Sequence, residues 1–293
     1  MNFLNKLKEW FNSEASNLPI VDISKRFELL GRTGQGSMSK VYRARDRDNG
    51  RTVCLKVLDK VKTEKFEARF KGLKKPPEGE IAMLLKHENI VQTFEHGLTT
   101  EKEPFIVMEL VDGVGLNFFI ETNPKDLTGK RVNYLRQYAT GIEFMHKSGF
   151  MHRDICPRNV MVTKEGVIKI IDLGLTIPYK PDYCRPGNRT GTTNYLAPEL
   201  IKRSPTDHRV DMFALGVTAY EIFTETLPWE KGTSEKVLGA IVNQAPHDPR
   251  EYRPDLTDDV VKFLLKGIER DPRNRYQNPA DFREAVELLS KKW

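Results

Sequence analysis

The chain has 293 residues, 47 Lys plus Arg against 41 Asp plus Glu, and 39% apolar residues, enough to bury a sizeable core and to exclude a disordered tail or a small disulfide scaffold. Its three cysteines, Cys54, Cys156 and Cys184, are odd in number and widely spaced, which gives neither a disulfide framework nor a metal-ligand pattern and points to a reducing, cytoplasmic compartment. The net charge of +6 is modest, no stretch approaches the ~18 consecutive apolar residues of a membrane span, and the N-terminus lacks a secretory leader pattern; a soluble protein is expected, and nucleic acid is not an expected partner.

Residues 1–24 read as an appendage. Phe3, Leu4, Leu7, Trp10 and Phe11 recur at helical spacing with Lys6, Lys8 and Glu9 between them, predicting a short amphipathic helix that packs on its own domain or a partner, or lies weakly on a membrane surface. Asn17-Leu18-Pro19 then marks a linker. From Phe27 to Met108 the pattern is strand-rich, with strands expected over Val41 to Arg45, Thr52 to Leu58 and Phe105 to Met108. Asp48-Asn49-Gly50 is a hairpin signal between the first two. One helical stretch, Glu78 to Lys86, interrupts these strands, and the block Lys60 to Lys75, with seven Lys/Arg and two Glu, reads as a solvated basic surface.

After Gly113 longer helical patterns take over, at Arg131 to Lys147, Val210 to Phe223, Asp258 to Ile268 and Pro279 to Ser290, with short strands around Val160 to Val162 and Val167 to Ile171. The expected organisation is a sheet-rich unit over residues 25–112 followed by a larger helical unit over 113–293.

Gly34-Gln35-Gly36 is followed by Ser37-Met38, whereas a strand-to-helix phosphate loop needs Lys-Ser/Thr directly after its last glycine. A dinucleotide fold needs a third glycine and a helix; here Ser39 stands at the third position and Val41 to Arg45 alternates like a strand. The loop therefore joins two antiparallel strands, and its glycines let backbone N–H groups approach a polyphosphate closely. One hairpin later, Val53-Cys54-Leu55-Lys56 places a lysine among apolar neighbours. It is either an edge-strand lysine reaching solvent or an ammonium that pairs with phosphates when a helical carboxylate holds it.

His152-Arg153-Asp154-Ile155-Cys156-Pro157-Arg158-Asn159 follows an amphipathic helix, and thirteen residues after Asn159 comes Asp172-Leu173-Gly174. With the glycine loop, Lys56 and Ala197-Pro198-Glu199, this ordered set resembles the eukaryotic-type protein kinases over about residues 26 to 290. Tyr42 to Asp46 and Glu269 to Arg275 look most like the compact bacterial Ser/Thr kinases. The resemblance implies an α+β, bilobal fold, with a small antiparallel β-sheet lobe carrying one main helix and a larger, mainly helical lobe. It also implies transfer of the γ-phosphoryl of ATP to protein substrates, with Mg2+, or Mn2+ in its place, as the metal.

By the same resemblance Asp154 is the catalytic base, and Asn159 and Asp172 are the metal ligands. Leu30, Val41, Cys54 and Met161 line an adenine slot, with Met108 before the hinge Glu109-Leu110-Val111. Gly34, Gly36 and Ser39 cover the phosphates, and Thr192 bonds Asp154. Lys56 needs a helical Glu: Glu78 lies nine residues before His87 of the His-x-Asn-Ile-Val segment, as in the family, and Glu80 only seven, so Glu78 is the expected partner, with Glu80 the alternative. His152, Arg153, Asp211, Glu199 and Arg275 take structural roles.

This sequence departs from the family at Ser39, at Leu173, at Gly115, and at Cys156, where Ser/Thr kinases carry a Lys that steadies the transferred phosphate. Arg158 resembles the tyrosine-kinase arrangement and would supply the missing charge. Gly191 to Glu199 looks like the Ser/Thr form of the substrate loop, so Ser/Thr transfer is expected. A Tyr or dual-specificity kinase and a catalytically impaired, ATP-binding scaffold are the alternatives. Thr190, then Thr176 or Tyr183, are candidate phosphorylation sites in the activation segment Asp172 to Glu199, where Asn188 occupies a frequent phosphosite position.

Overall fold

A computed structural model of the chain describes residues 18–35, 38–73, 75–187 and 189–293. The helix expected around Phe3 to Phe11, the loop residue Gly36 and Asn188 lie outside the described residues. The chain divides into two compact units, one ending at Asp112 and the other spanning Gly113–Trp293.

The first unit is built on a six-stranded sheet of β1 (Ile20–Val21), β2 (Phe27–Gln35), β3 (Ser39–Asp46), β4 (Thr52–Leu58), β5 (Thr93–Thr99) and β6 (Pro104–Glu109), in the order β1-β5-β6-β4-β3-β2. Its helices are α1 (Ile23–Arg26), α2 (Lys60–Glu67) and α3 (Glu78–Leu84). Period-two alternation turns Val53, Leu55 and Val57 into a core with Phe27, Ala44, Phe105 and Val107, which sends Cys54 and Lys56 to the opposite face of β4. The β3–β4 turn closes through Gly50 at φ 73, whose N–H donates to Asp46 O at 2.7 Å, while the Asp46 carboxylate receives Asp48 N and Asn49 Nδ2.

Two stretches differ from the sequence reading. The Pro19 region is not a free linker: Ile20 and Val21 pair in parallel with Leu98 and Thr99, adding a parallel edge to an otherwise antiparallel sheet. A proline marks a break in local structure, but the edge of β5 supplies partners that no local signal announces. Likewise the basic block is not merely a solvated face. Asp59 caps α2 by accepting from Lys62 N at 3.0 Å, and Phe66 and Phe70 are buried edge to face with centroids 5.5 Å apart, so the block forms a helix where none was expected.

In the second unit, β7 (Gly113–Gly115), β9 (Val160–Thr163) and β10 (Ile168–Ile170) form a sheet ordered β10-β9-β7, and β8 (Phe150–Met151) pairs with β11 (Ile177–Pro178). The helices are α4 (Leu116–Thr122), α5 (Arg131–Lys147), α6 (Pro198–Ile201), α7 (Arg209–Thr224), α8 (Glu235–Asn243), α9 (Pro249–Tyr252), α10 (Asp258–Gly267) and α11 (Pro279–Glu287). Helix α7 is buried nearly all round, as a helix at the centre of a core must be. It meets α10 where Gly216 faces Gly267; a Cβ on Gly216 would lie 2.3 Å from Gly267 O, so backbone touches backbone. Arg275 holds Glu199 in a bidentate pair at 2.8 Å, itself fully buried.

Candidate active site

In the first unit the candidate residues gather around β4. Lys56 Nζ donates to Glu78 Oε1 at 2.6 Å, with both side chains nearly buried; an ion pair at that depth stays oriented because neither charge can be left alone. Pro77 precedes the helix and Glu78 is its first residue. The helix can lie that close to the sheet because residue 79 is glycine: a Cβ there would meet His96 Cβ at 2.5 Å.

On neighbouring strands Val41 pairs with Lys56, and Cys54 with Met108. Burial raises the Cys54 thiol to about 11, against the pull of Lys56, so it acts as a small apolar group. Leu30 is the residue passed over in the β2–β3 register between Leu29 and Gly31 and is 46% exposed. Gly34 pairs with Val41, one step before the ladder ends at Gln35 and Lys40, and Ser39 opens β3. Glu109 Oε1 accepts from Gln92 N at 2.7 Å, and Val111 follows β6 in the chain, half-buried.

In the second unit the loop between β8 and β9 carries the candidate chemistry. Arg153 has φ 67, a left-handed conformation that costs a non-glycine residue about 1 kcal/mol or more. The Asp211 carboxylate holds it there, taking His152 N and Arg153 N at 2.8 Å each, with His146 Nε2 at 2.8 Å. Burial alone would raise Asp211, but these donors and the neighbouring His residues bring its carboxyl below the usual range. His152 is fully buried and its Nδ1 accepts from Asp154 N at 3.1 Å; burial lowers the ring's pKa despite the nearby carboxylates.

Asp154 Oδ1 accepts from both the amide and the hydroxyl of Thr192, each at 2.7 Å. Asn159 Nδ2 bonds Asp154 O at 2.8 Å and Oδ2 at 2.9 Å, which spends the amide's donor side on Asp154 and leaves Oδ1 of Asn159 as an acceptor. Ile171 N donates to Asn159 O, bringing the next residue, Asp172, alongside; its Oδ1 accepts from Gly174 N at 3.0 Å. An amide oxygen and a carboxylate are the hard oxygen donors that suit a divalent cation carrying phosphate. Met161 sits on β9 opposite Gly115.

Cys156 is 1% exposed, with Sγ 3.9 Å from Thr192 Oγ1. Burial, reinforced by the charge of Asp154, pushes its thiol up to about 12. Arg158, in contrast, is exposed, on the turn Pro157–Asn159.

Three residues make contacts to which the sequence reading gave no role of their own. Gly191 has φ +129, and a Cβ there would stand 2.9 Å from Arg153 O, so only glycine lets the segment lie on the catalytic loop. Its position directly before Thr192 was the available signal. Tyr195 donates its hydroxyl to Glu221 of α7; Glu221 lies on a helix that reads as uniform core, and no local pattern marks it.

The description "Protein kinase domain" fits residues 27–293. A probable serine/threonine-protein kinase of Clostridium acetobutylicum is 33% identical over 257 residues, 87% of this chain and 38% of that protein. One of Streptomyces coelicolor is 31% identical over 270 residues, covering 89% and 39%, and the serine/threonine-protein kinase PknB of Mycolicibacterium smegmatis is 31% identical over 273 residues, covering 89% and 42%. The chain thus spans about two-fifths of the length of these curated relatives. With a match that takes in both units, the chain belongs to the protein kinase domain family.

Proposed function

We propose that this chain is a Ser/Thr protein kinase domain that transfers the γ-phosphoryl of ATP, bound with Mg2+, to hydroxyls of protein substrates. One observation carries the reading: Asp154 is fixed by Thr192 through one oxygen and by Asn159 through the other, the constraint a general base needs before a hydroxyl arrives. The names of the relatives, all serine/threonine-protein kinases, support the choice of acceptor.

Asp154 takes the proton of the substrate hydroxyl as that oxygen bonds phosphorus and the bond to the leaving ADP oxygen breaks. Lys56, steadied by Glu78, pairs with the phosphates on the nucleotide side. Asn159 and Asp172 are the residues that would hold the metal, which when bound neutralises charge across the phosphates. The Cys156 thiol, neutral and packed on Thr192, supplies no charge, and Arg158 is the cation of the loop available for the transferred group. The adenine slot is assigned to Leu30, Val41, Cys54, Met108 and Met161, with Glu109 and Val111 at the hinge. Three unpaired cysteines suit a reducing, cytoplasmic location.

The test is transfer by the purified protein from MgATP onto itself and onto a generic basic protein, with Asp154→Asn beside it. Phospho-Ser and phospho-Thr should form and fall by roughly 10²- to 10⁴-fold in the variant, with ATP affinity kept. Phosphotyrosine as the main product would overturn the acceptor assignment; near-normal turnover by Asp154→Asn would remove Asp154 from the base role.

A further inference from the structure

The activation segment, Asp172 to Glu199, is fastened by contacts that involve no phosphate. At its start β11 pairs with β8, Ile177 opposite Met151, and Tyr179 N donates to Gly149 O at 2.7 Å. The Tyr179 hydroxyl lies 2.5 Å from His208 Nδ1, and His208 Nε2 lies 2.7 Å from Gln277 O. A single tautomer satisfies both: Nε2–H donates to the carbonyl and Nδ1 accepts from the tyrosine. His208 immediately precedes α7, three residues before the Asp211 that receives His152 N and Arg153 N, so the contact ties the segment to the helix bracing the catalytic loop.

Further along, Tyr183 and Cys184 are buried, and Cys184 O accepts from Thr206 N at 3.2 Å. The hydroxyls that would carry a regulatory phosphate are turned inward: Thr176 is 0% and Tyr183 3% exposed, and the Thr190 hydroxyl oxygen is buried. Phosphorylating any of them requires first exposing a buried hydroxyl.

Resting on the kinase reading above, we propose that Tyr179 and His208 are positioning residues whose hydrogen bond latches the activation segment, so that Thr192 meets Asp154 without phosphorylation of the segment.

The experiment compares phosphatase-treated wild type, verified as unphosphorylated by intact mass, with Tyr179→Phe and His208→Ala prepared the same way. Two readouts are taken: kcat with the ATP Kd, and tryptic cleavage. Of the segment's three basic residues, Lys180 and Arg185 precede prolines and resist trypsin, so cuts within the segment, identified by fragment mass, report on the Arg189–Thr190 bond. The unphosphorylated wild type should keep at least about half its untreated rate, and each variant should lose about fivefold in kcat at unchanged ATP Kd and be cut about fivefold faster, the scale of one hydrogen bond. The double variant should be no worse than His208→Ala. Loss of activity on dephosphorylation, or variants as active and as protected as wild type, overturns the latch. If no form transfers phosphate, the kinase reading fails, and the cleavage rates still decide the latch.

Discussion

Cys156 illustrates how one side chain redistributes a task among its neighbours. A thiol raised to about 12 is uncharged at any physiological pH, and at 1% exposure it fills space against Thr192. The cation that would otherwise steady a transferred phosphoryl must then come from elsewhere, and Arg158 stands two residues on, exposed and with the planar donor fork that grips phosphate through two bonds. Replacing Arg158 with Ala should lower kcat on the order of 10²-fold, the usual effect of deleting one transition-state donor, while the KM for ATP moves less than about threefold. Steady-state kinetics decide: an unchanged kcat would mean that nothing replaces the absent lysine. At this scale the sequence was most legible where it names a contact, as with Lys56 on Glu78 and Thr192 on Asp154. It was least legible where direction matters, since no pattern in residues 152–159 says that Cys156 turns inward and Arg158 outward.

Helix α3 begins at Glu78, so the residue that orients Lys56 sits at the helix end and not in a rigid middle turn. Its placement depends on how closely α3 can rest on β5, and Gly79 sets that distance. Alanine there would gain about 1 kcal/mol of helix propensity but place a Cβ 2.5 Å from His96 Cβ, an atom fixed to the backbone of β5 that cannot swing aside. Overpacking of this kind costs about 1–3 kcal/mol. Gly79→Ala is therefore expected to lower Tm by about 2–6 °C and to raise the KM for ATP severalfold as Glu78 shifts from Lys56, and Gly79→Ala with His96→Gly, which removes the opposing Cβ, should recover much of the ATP KM. A more stable Gly79→Ala protein with unaltered ATP binding would refute the packing argument. The short reach of α3 was foreshadowed by Pro76-Pro77 and Gly79, because proline tolerates only the start of a helix. Helix α2 was hidden for a physical reason: in Lys60 to Lys75 charge outnumbers apolar residues, and only Phe66 and Phe70, four apart, mark the buried stripe.

Over the whole molecule, the elements with strong periodicity were readable nearly to their ends, Arg131–Lys147 among them, whereas the parallel edge strand Ile20–Val21 was not, because its partners lie more than seventy residues away. The same folding that hid α2 decides what the positive charge can do. The chain carries +6 overall, with a sequence pI of about 9.0, and its densest run of cations lies in residues 60–75. Folding takes Lys75 out of that run, placing its ammonium 5.4 Å from the centre of the Phe66 ring and 2.9 Å from Pro76 O, where burial lowers its pKa. Lys60, Lys62, Lys65, Arg69 and Lys71 remain exposed on one short helix and the turns after it. A handful of cations without a recognition element gives binding by counterion release alone, which weakens steeply as salt rises. Any association of this protein with duplex DNA or RNA in 20 mM salt is thus expected to fall at least about tenfold by 150 mM and to show no sequence preference. Fluorescence anisotropy across that range tests it: saturable, sequence-dependent binding that survives physiological salt would show that the basic surface is a recognition site, and that the charge serves more than solubility.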